Sequence, residues 1–194
     1  PLPAKGHERG GVAIVSERPL AQPAAMSPQE QTLLDSKRYV RAALPLGDGK
    51  CCLHIVSFYG YTNAARNACE RAKNEELLGL LFEVLAALGQ VPILILGDFN
   101  TNSTHSTTLD VALRSQQWYD AALIWEDKTG QQAKNTCFVR ATSQGSRIDL
   151  ALMNRQLAST LQDFQTLRET GIHAHDPLQL TLDVSLCEQT GRCI

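Results

Sequence analysis

The stretch VPILILGDFN, residues 91–100, decides the fold of this 194-residue chain. Its apolar part, 92–96, predicts a strand that is buried on both faces, because both faces carry apolar side chains. Residues two apart on an extended backbone point to the same side, so Asp98 and Asn100 should project together while Phe99 turns into the core. A carboxylate beside an amide can hold a metal-bound water and a phosphoryl oxygen. A simple Asx turn is the alternative interpretation.

The segments on either side of this stretch alternate between strand and helix patterns. Strands are predicted over 12–16, 39–44, 51–59, 147–153, 164–167 and 178–184, helices over 64–88 and 106–114, a helical turn at 157–161, and a mixed pattern over 118–125. Spaced leucines indicate the longer helix, with Thr62 or Asn63 as its N-cap and Gly89 as its end. A turn at 47–49 should join two strands in a hairpin, and the three prolines of 18–29 predict a loop. The pattern predicts one α/β domain with a mixed, mostly antiparallel sheet.

The composition is that of a folded globular protein. Apolar residues make up 43% of the chain and charged residues 20%, with a formal net charge of -2. This near-neutral net charge does not indicate a strongly basic surface for nucleic acid, although a local basic groove is compatible with it. We expect no membrane span, because no run reaches roughly 18 apolar residues, and no leader peptide. The six cysteines fit no paired zinc spacing, so we expect reduced thiols in an intracellular protein, nuclear or cytoplasmic; a Cys187–Cys193 bridge is the alternative.

Two later segments add polar side chains to apolar surroundings. The segment SRIDLAL, residues 146–152, places Asp149 inside an apolar strand, where an unpaired carboxylate is costly. Asp149 therefore needs a donor, which could be a histidine, a backbone amide or Arg147. The segment HAHDPL, residues 173–178, places two histidines just before the last predicted strand. Asp149 would orient His175 and favour its charged form, which stabilises negative charge on a phosphate. A purely structural histidine is the alternative.

In order and spacing, these motifs resemble the endonuclease/exonuclease/phosphatase superfamily, the DNase-I-like group. The sequence GGVAI at 10–14 is similar to one strand of that superfamily, and VSFYG at 56–60 is similar to the strand that ends in its active-site tyrosine. The resemblance extends over nearly the whole chain. It implies a four-layer α/β sandwich of the DNase-I-like type that is missing its first strands. The implied domain is 10–185, incomplete at the N-terminus, with a flexible arm at 1–9 before it and a tail at 186–194 after it.

The resemblance implies a role for each of five side chains. Asp98 would polarise or deprotonate the attacking water, and Asn100 would position that water and the scissile phosphate. His175 would contact the phosphate and stabilise the transition state, and Asp149 would orient His175. Tyr59 would hydrogen-bond a phosphate oxygen or support the carboxylates. Asp98, Asn100 and His175 would also bind the divalent cation of the family, Mg²⁺ or Mn²⁺, which prefers oxygen ligands.

Other residues are candidates for contact with a substrate. His105, just past the first motif, would line the cleft. Six basic residues could contact nucleic acid or could form a solvated surface: Arg66, Arg71, Lys73, Lys128, Lys134 and Arg140. Trp118, Tyr119 and Trp125 could stack on a base, although burial in the core is the commoner use of tryptophan.

Two departures from the family pattern bear on activity. Ala174 stands where the family has an aspartate that assists the metal, and alanine cannot act as a ligand. The family's main glutamate ligand belongs to a strand that would precede residue 10 of this sequence. The expected function is metal-dependent hydrolysis of a phosphodiester or phosphomonoester, endonuclease-like on DNA or RNA, by a monomer. Its expected partner is nucleic acid or another phosphate ester. The alternatives are an inactive binding or structural module on the same fold and the endonuclease part of a mobile-element polyprotein.

Overall fold

The structure, a computed structural model, describes residues 11–47, 49, 51–138, 144–168, 170, 172 and 174–190. Within this part of the chain the elements are, in order, α1 (Pro28–Asp35), β1 (Tyr39–Leu46), β2 (Cys51–Tyr59), α2 (Ala68–Ala86), β3 (Ile93–Asp98), α3 (Thr107–Arg114), β4 (Trp118–Asp120), α4 (Ala121–Thr129), β5 (Asp149–Asn154), α5 (Arg155–Ala158), β6 (Leu161–Thr166), β7 (Leu178–Leu182) and α6 (Ser185–Thr190). Some residues of the sequence predictions lie outside the described residues: the arm at 1–9, Gly10, Arg140, His173 and the end of the tail at 191–194. None of the described helices is both long enough and apolar enough to cross a membrane.

The strands form one large sheet and one small sheet. Within the described residues the large sheet has the order β1-β2-β3-β5-β4, and β6 pairs with β7 in the small one. β2 and β3 run parallel, whereas the other paired strands run antiparallel. β1 and β2 form the predicted hairpin, with Tyr39 opposite Phe58 and Leu46 opposite Cys51. The predicted α/β fold with a mixed, mostly antiparallel sheet is therefore confirmed.

The two faces of β3 pack into two separate cores, as its continuous apolar sequence predicted. Ile93 and Ile95 join a cluster with Phe99 and with residues of α1, α2 and α3. Leu94 lies on the opposite face with Met153, in a cluster that also contains residues of α4, β6 and β7. A slip of one residue would exchange the two faces, so this burial fixes the register of β3. The same register fixes where the polar residues after the strand emerge.

The predicted strand at 12–16 is wrong. The structure has no strand in this segment, and the side chain of Val15 is 95% exposed. A short apolar run forms a strand only where a second strand satisfies its backbone hydrogen bonds. In the stretch that follows, the pairing is limited to a bridge between Ala21 and Ala43.

α1 begins within 18–29, where the sequence predicted a loop. Ser27 caps the helix by accepting a hydrogen bond from the amide of Glu30. Pro28 occupies the first turn of the helix, where a missing amide hydrogen costs nothing, so this proline starts a helix instead of breaking one. Glu30 is 1% exposed and forms an ion pair with Arg41, which is 3% exposed, at 2.7 Å between Oε1 and Nε. A buried ion pair thus holds α1 to β1.

α2 begins at Ala68, later than the predicted start at residue 64. Its N-cap is Asn67, whose side chain accepts hydrogen bonds from two amides of the first helical turn. The predicted caps, Thr62 and Asn63, instead lie in a series of turns over 62–66. These turns line a cavity beside the candidate site.

The structure extends the packed part of the chain beyond residue 185. Residues 118–125, which gave a mixed pattern, divide between β4 and α4. α6 places Cys187, which is 3% exposed, in the second core cluster. Part of the segment 186–194 that the sequence analysis set apart as a tail therefore packs against the domain.

Gly97 permits the close approach of β2 and β3. The two strands pair Gly97 with Phe58, and a Cβ atom at position 97 would lie 1.8 Å from the carbonyl oxygen of Phe58. We expect Gly97→Ala to lower the free energy of unfolding by on the order of 3 kcal/mol, because the backbone must move to relieve this overlap. Chemical denaturation followed by circular dichroism measures the change.

The matched control is Gly79→Ala in α2, where an added methyl group would meet no atom within 4 Å. Alanine is the better helix former, so this variant should be more stable than the parent by about 0.5–1 kcal/mol. Equal stability of the two variants would contradict the close approach of β2 and β3.

Candidate active site

Neighbouring strands place three polar residues next to one another at one end of the large sheet. Tyr59 of β2 pairs with Asp98 of β3, and Asp98 pairs with Asp149 of β5. Residues that pair across adjacent strands point to the same face of the sheet, so the two carboxylates are direct neighbours. The order of the strands thus brings together two motifs that are far apart in the sequence.

His175 reaches the carboxylates from the segment that leads into β7. Its Nδ1 atom lies 2.9 Å from Oδ2 and 3.1 Å from Oδ1 of Asp149. An ionised carboxylate only accepts hydrogen bonds, so Nδ1 donates and Nε2 faces the other way. Nε2 lies 3.6 Å from Sγ of Cys137, whose backbone forms a bridge with that of His175. Asp149 therefore holds the imidazole ring in one orientation.

The buried Thr136 fixes the backbone on both sides of this contact. Its carbonyl accepts a hydrogen bond from the amide of Asp176 (2.7 Å), and its hydroxyl accepts one from the amide of Asp149 (3.1 Å). Next to it, the amide of Phe138 donates to the carbonyl of Ala174 (2.7 Å). These hydrogen bonds tie the histidine segment to the start of β5.

Asn100 folds back onto Asp98 at the end of β3. Its amide donates to Asp98 Oδ1 (2.8 Å), and its Nδ2 donates to Asp98 Oδ2 (3.1 Å) and to the carbonyl of Gly60 (3.2 Å). Asn100 has a left-handed backbone with φ of 51°, which asparagine tolerates better than most residues. Phe99 is fully buried and packs against the ring of Phe58. The segment is thus an Asx turn in which the two polar side chains contact each other.

A buried asparagine on α2 connects the two loops that carry the site. Asn74 is 1% exposed; its Oδ1 accepts a hydrogen bond from the amide of Tyr61 (2.8 Å), and its Nδ2 donates to the carbonyl of Phe99 (3.1 Å). No motif of the sequence points to this residue. The available signal was a polar side chain on an apolar helix face, since Asn74 precedes Leu77 and Leu78 by three and four residues.

The pKa of Asp98 is raised from its ordinary value of 3.8 to about 6. Burial is the largest cause, and the negative charge of Asp149 acts in the same direction. Hydrogen bonds from Asn100 and the attraction of His175 act against the rise. A carboxyl group with such a pKa can both accept and release a proton near neutral pH.

The side chains of Asp98, Asp149 and His175 form a possible metal site. Each offers one ligand atom, and the three atoms lie within 4.8 Å of one another. No other such cluster of histidine, cysteine, aspartate or glutamate occurs in the described part of the chain. None of the groups that shift the pKa of Asp98 is a lysine or arginine, so a divalent cation would relieve the repulsion between the carboxylates. Asn100 turns its nitrogen towards Asp98, so its ligand atom would have to be Oδ1.

Two depressions flank this cluster, and His175 lines both. We call the larger one, of about 440 Å³, the basic cavity; Arg66 and His105 line it from the loops that follow β2 and β3. We call the smaller one, of about 330 Å³, the acidic depression; Asp98 and Asp149 line it. His105 lies beside the cluster, and its contact with a substrate stays a prediction.

Tyr59 lies apart from these depressions and lines neither of them. Its hydroxyl contacts Oγ1 of Thr62 at 3.2 Å. The guanidinium of Arg38 lies over its ring, 5.1 Å from the centroid. The structure therefore places the backbone of Tyr59 beside Asp98 and its hydroxyl at the following loop.

Several of the other predicted substrate contacts are engaged within the protein. Three of the basic residues form hydrogen bonds or ion pairs within the protein: Arg71, Lys73 and Lys128. Lys134 lines a separate depression beside α4, whereas Arg66 is exposed at the basic cavity. Trp118 is 6% exposed within the first core cluster, while Tyr119 and Trp125 are partly buried.

The sequence profile of the endonuclease/exonuclease/phosphatase family matches residues 3–164. Because this match covers most of the chain, the protein belongs to that family. The family consists of nuclease- and phosphatase-type hydrolases that generally depend on a divalent metal, which confirms the class that the motifs predicted. A search of curated protein sequences gives no match.

Solved structures share the fold at low sequence identity. A 3′ phosphatase from Neisseria, NExo, bound to a product DNA hairpin, has a TM-score of 0.59 and 17% identity, over 75% of this chain and 65% of that chain. The catalytic domain of Xenopus laevis APE2 has a TM-score of 0.60 and 20% identity, over 79% and 58% of the two chains. An AP endonuclease from Archaeoglobus fulgidus has a TM-score of 0.62 and 15% identity, over 86% and 71%. The DNase-I-like fold is thereby confirmed, and this chain spans about three fifths of the length of the first two structures.

Removing the charge of Asp149 should lower the pKa of Asp98. In the metal-free protein we expect a pKa of about 6 for Asp98 and a lower value in Asp149→Asn, because a neighbouring like charge has been removed. Carbon-13 NMR of the aspartate carboxyl groups during a pH titration measures both values. Asp110→Asn, on the surface of α3, is the control and should leave the titration of Asp98 unchanged. An unchanged pKa in Asp149→Asn would contradict the close contact of the two carboxylates.

Proposed function

We propose that this chain hydrolyses phosphodiester bonds of nucleic acid with the help of a divalent cation. The cluster at the end of the large sheet carries the proposal: a carboxyl group with a raised pKa, a second carboxylate and an imidazole offer ligand atoms within 4.8 Å of one another. Such a set combines a base, a hydrogen-bond donor to the negatively charged phosphate and a cation site in one place. One of the similar structures contains a product DNA hairpin, which supports nucleic acid as the substrate class.

Asp98 is the proposed base. Its pKa of about 6 leaves it ionised at neutral pH yet basic enough to take a proton from an attacking water. The two hydrogen bonds from Asn100 hold the carboxylate in one orientation. We therefore assign Asn100 a positioning role, together with the contact to water and phosphate that its motif implies. Tyr59 would support Asp98 through their pairing across β2 and β3.

His175 is the proposed donor to the phosphate. Asp149 engages its Nδ1 at 2.9 Å, and when the ring is charged a phosphate oxygen would replace Sγ of Cys137 as the partner of Nε2. A charged imidazole stabilises the negative charge that develops on phosphate oxygens in the transition state. The ring lines the basic cavity, from which a phosphate would reach it.

Mg²⁺ or Mn²⁺ is the proposed cofactor. Asp98 and Asp149 would hold it, with Oδ1 of Asn100 as a further ligand, and carboxylate oxygens suit both ions. His175 would add Nε2 to this set only as a neutral ring, because a charged ring carries a proton on both nitrogens and has no lone pair for a cation. When bound, the cation would neutralise charge on the phosphate and polarise its oxygens. Ala174 adds no ligand, so the side chains of this chain supply two carboxylates to the set.

A non-catalytic module on the same fold, which binds phosphate esters without cleaving them, is the second candidate. Ala174 favours it, because the aspartate that the family pattern places at this point is reduced to a methyl group. The endonuclease part of a mobile-element polyprotein stays a prediction, and sequence on either side of this chain would decide it.

Asp98→Asn should lower the rate of cleavage by at least roughly 100-fold, because an amide cannot take a proton from water. The assay uses Mg²⁺ and two labelled duplexes, one with an abasic-site analogue and one with a 3′-phosphate. Asp110→Asn, which removes an acidic charge from the surface of α3, is the matched control and should cleave at the parental rate. Unchanged cleavage by Asp98→Asn would refute the assignment of Asp98. Binding without cleavage by the parent would select the second candidate.

Binding of Mn²⁺ should weaken as the pH falls through about 6. In the metal-free protein Asp98 has a pKa of about 6, so it is protonated below that pH and must lose the proton to bind a cation. Isothermal titration calorimetry well below and well above this pH measures the affinity. Asp98→Asn should bind weakly at both pH values. Equal affinity of the parent at both would contradict the part of Asp98 in the metal site.

A further inference from the structure

The two depressions beside the cluster differ in charge. Asp98 and Asp149 line the acidic depression. The basic cavity is lined by Arg66 and His105, and within the described part of the chain no aspartate or glutamate lines it. An anionic ligand that reaches His175 therefore meets potential cations on one side and carboxylates on the other.

The imidazole ring of His105 is hydrogen-bonded at Nδ1, and the side chain is exposed. Its Nδ1 lies 2.8 Å from Oδ1 of Asn102 and 3.0 Å from Oγ1 of Thr104. The amide oxygen of Asn102 accepts hydrogen bonds, so Nδ1 is a donor there. Nε2 of His105 has no hydrogen-bond partner among the described residues, and the exposed side chain lines the basic cavity. The ring is therefore positioned to offer Nε2 to a ligand in the cavity.

We propose that His105, with Arg66 in the same cavity, binds the phosphate next to the scissile one in a nucleic-acid strand. This contact makes His105 a specificity-determining residue, which favours strands over isolated phosphate esters. The inference rests on the proposed function, since it takes the cluster around Asp98 and His175 as the place of hydrolysis.

The chemistry of the cavity favours a phosphate over a base. Guanidinium and imidazolium groups form charge-assisted hydrogen bonds to phosphate oxygens. No tryptophan, tyrosine or phenylalanine of the described residues lines the cavity, so it lacks the rings on which bases commonly stack. A strand that places one phosphate at His175 continues into the neighbouring space and carries a second charge there. The chain as a whole has a net charge of -2, so attraction of a strand depends on local groups such as Arg66 and His105.

Neutralising single phosphates of the substrate tests this contact. The probe is a labelled duplex with an abasic-site analogue, and binding is measured by fluorescence anisotropy in Ca²⁺, without need of cleavage. A methylphosphonate at the linkage on one side of the scissile phosphate should weaken binding by the parental chain about 10-fold, because a charge-assisted hydrogen bond is lost. The same change should have a smaller effect on His105→Ala, in which Arg66 alone remains to bind that phosphate.

Kinetics separate this role from a purely structural one. With Mg²⁺, His105→Ala should raise KM for the duplex about 10-fold and leave kcat unchanged, because the contact is equal in ground and transition states. Hydrolysis of bis(p-nitrophenyl) phosphate, which has no second phosphate, should not change. His105→Gln keeps a neutral donor and should recover part of the lost affinity. Arg114→Ala removes a positive charge that is 80% exposed on α3, and this control should bind like the parent.

The failure of this inference and the failure of the proposed function give different results. An equal response to methylphosphonates in the parent and in His105→Ala overturns the assignment of His105, whether or not cleavage occurs. A response that is smaller in His105→Ala than in the parent, without cleavage by the parent, supports the phosphate contact and refutes the hydrolysis. A parent that binds no duplex at all overturns both.

Discussion

The pairing of Asp98 with Asp149 on adjacent strands is the constraint on which the rest of the site depends. Like charges directly opposite each other destabilise a sheet, and burial adds to the cost by raising the pKa of Asp98 to about 6. The surrounding contacts offset this cost with hydrogen bonds, from Asn100 to one carboxylate and from His175 to the other. Neither donor is a permanent positive charge. The pair therefore keeps its capacity to take up a proton or a cation, which an arginine in the same place would remove.

The buried carboxylate of Glu30 shows the opposite solution within the same molecule. Burial would raise its pKa, yet the hydrogen bonds from Arg41, from the amide of Met26 and from Tyr39 lower it. The Glu30 carboxylate, paired with Arg41, stays ionised and joins α1 to β1. Its lowered pKa keeps it from taking up a proton near neutral pH. The contrast with Asp98 indicates that burial alone does not decide the pKa of a carboxyl group, since hydrogen bonds, chiefly from Arg41, together outweigh it at Glu30.

The parts of this structure that local signals determine could be predicted from the sequence. β2 has the predicted bounds, and Phe99 is buried because the alternation of a strand requires it. The convergence of Asp98 with Asp149 depends on the order of strands in the sheet, which no local pattern contains and which the resemblance to a family supplied. The two hydrogen bonds of Asn74 could not be predicted, because their partners are backbone atoms of loops that only the fold brings together. The prediction of a strand at 12–16 was wrong for the same reason, since a strand forms only where a second strand pairs with it.

The alanine at 174 changes the charge of the site more than its shape. Ala174 has a left-handed backbone with φ of 68°, which costs an alanine roughly 1 kcal/mol, and its carbonyl still accepts the hydrogen bond from Phe138. This turn leads directly into His175 and its contact with Asp149. A site with one carboxylate fewer attracts a divalent cation less strongly and repels an incoming phosphate less. Under the proposed function, the hydrogen-bond donors of the basic cavity would then carry a larger share of phosphate binding, so Ala174 would make the side chains of Arg66 and His105 more important.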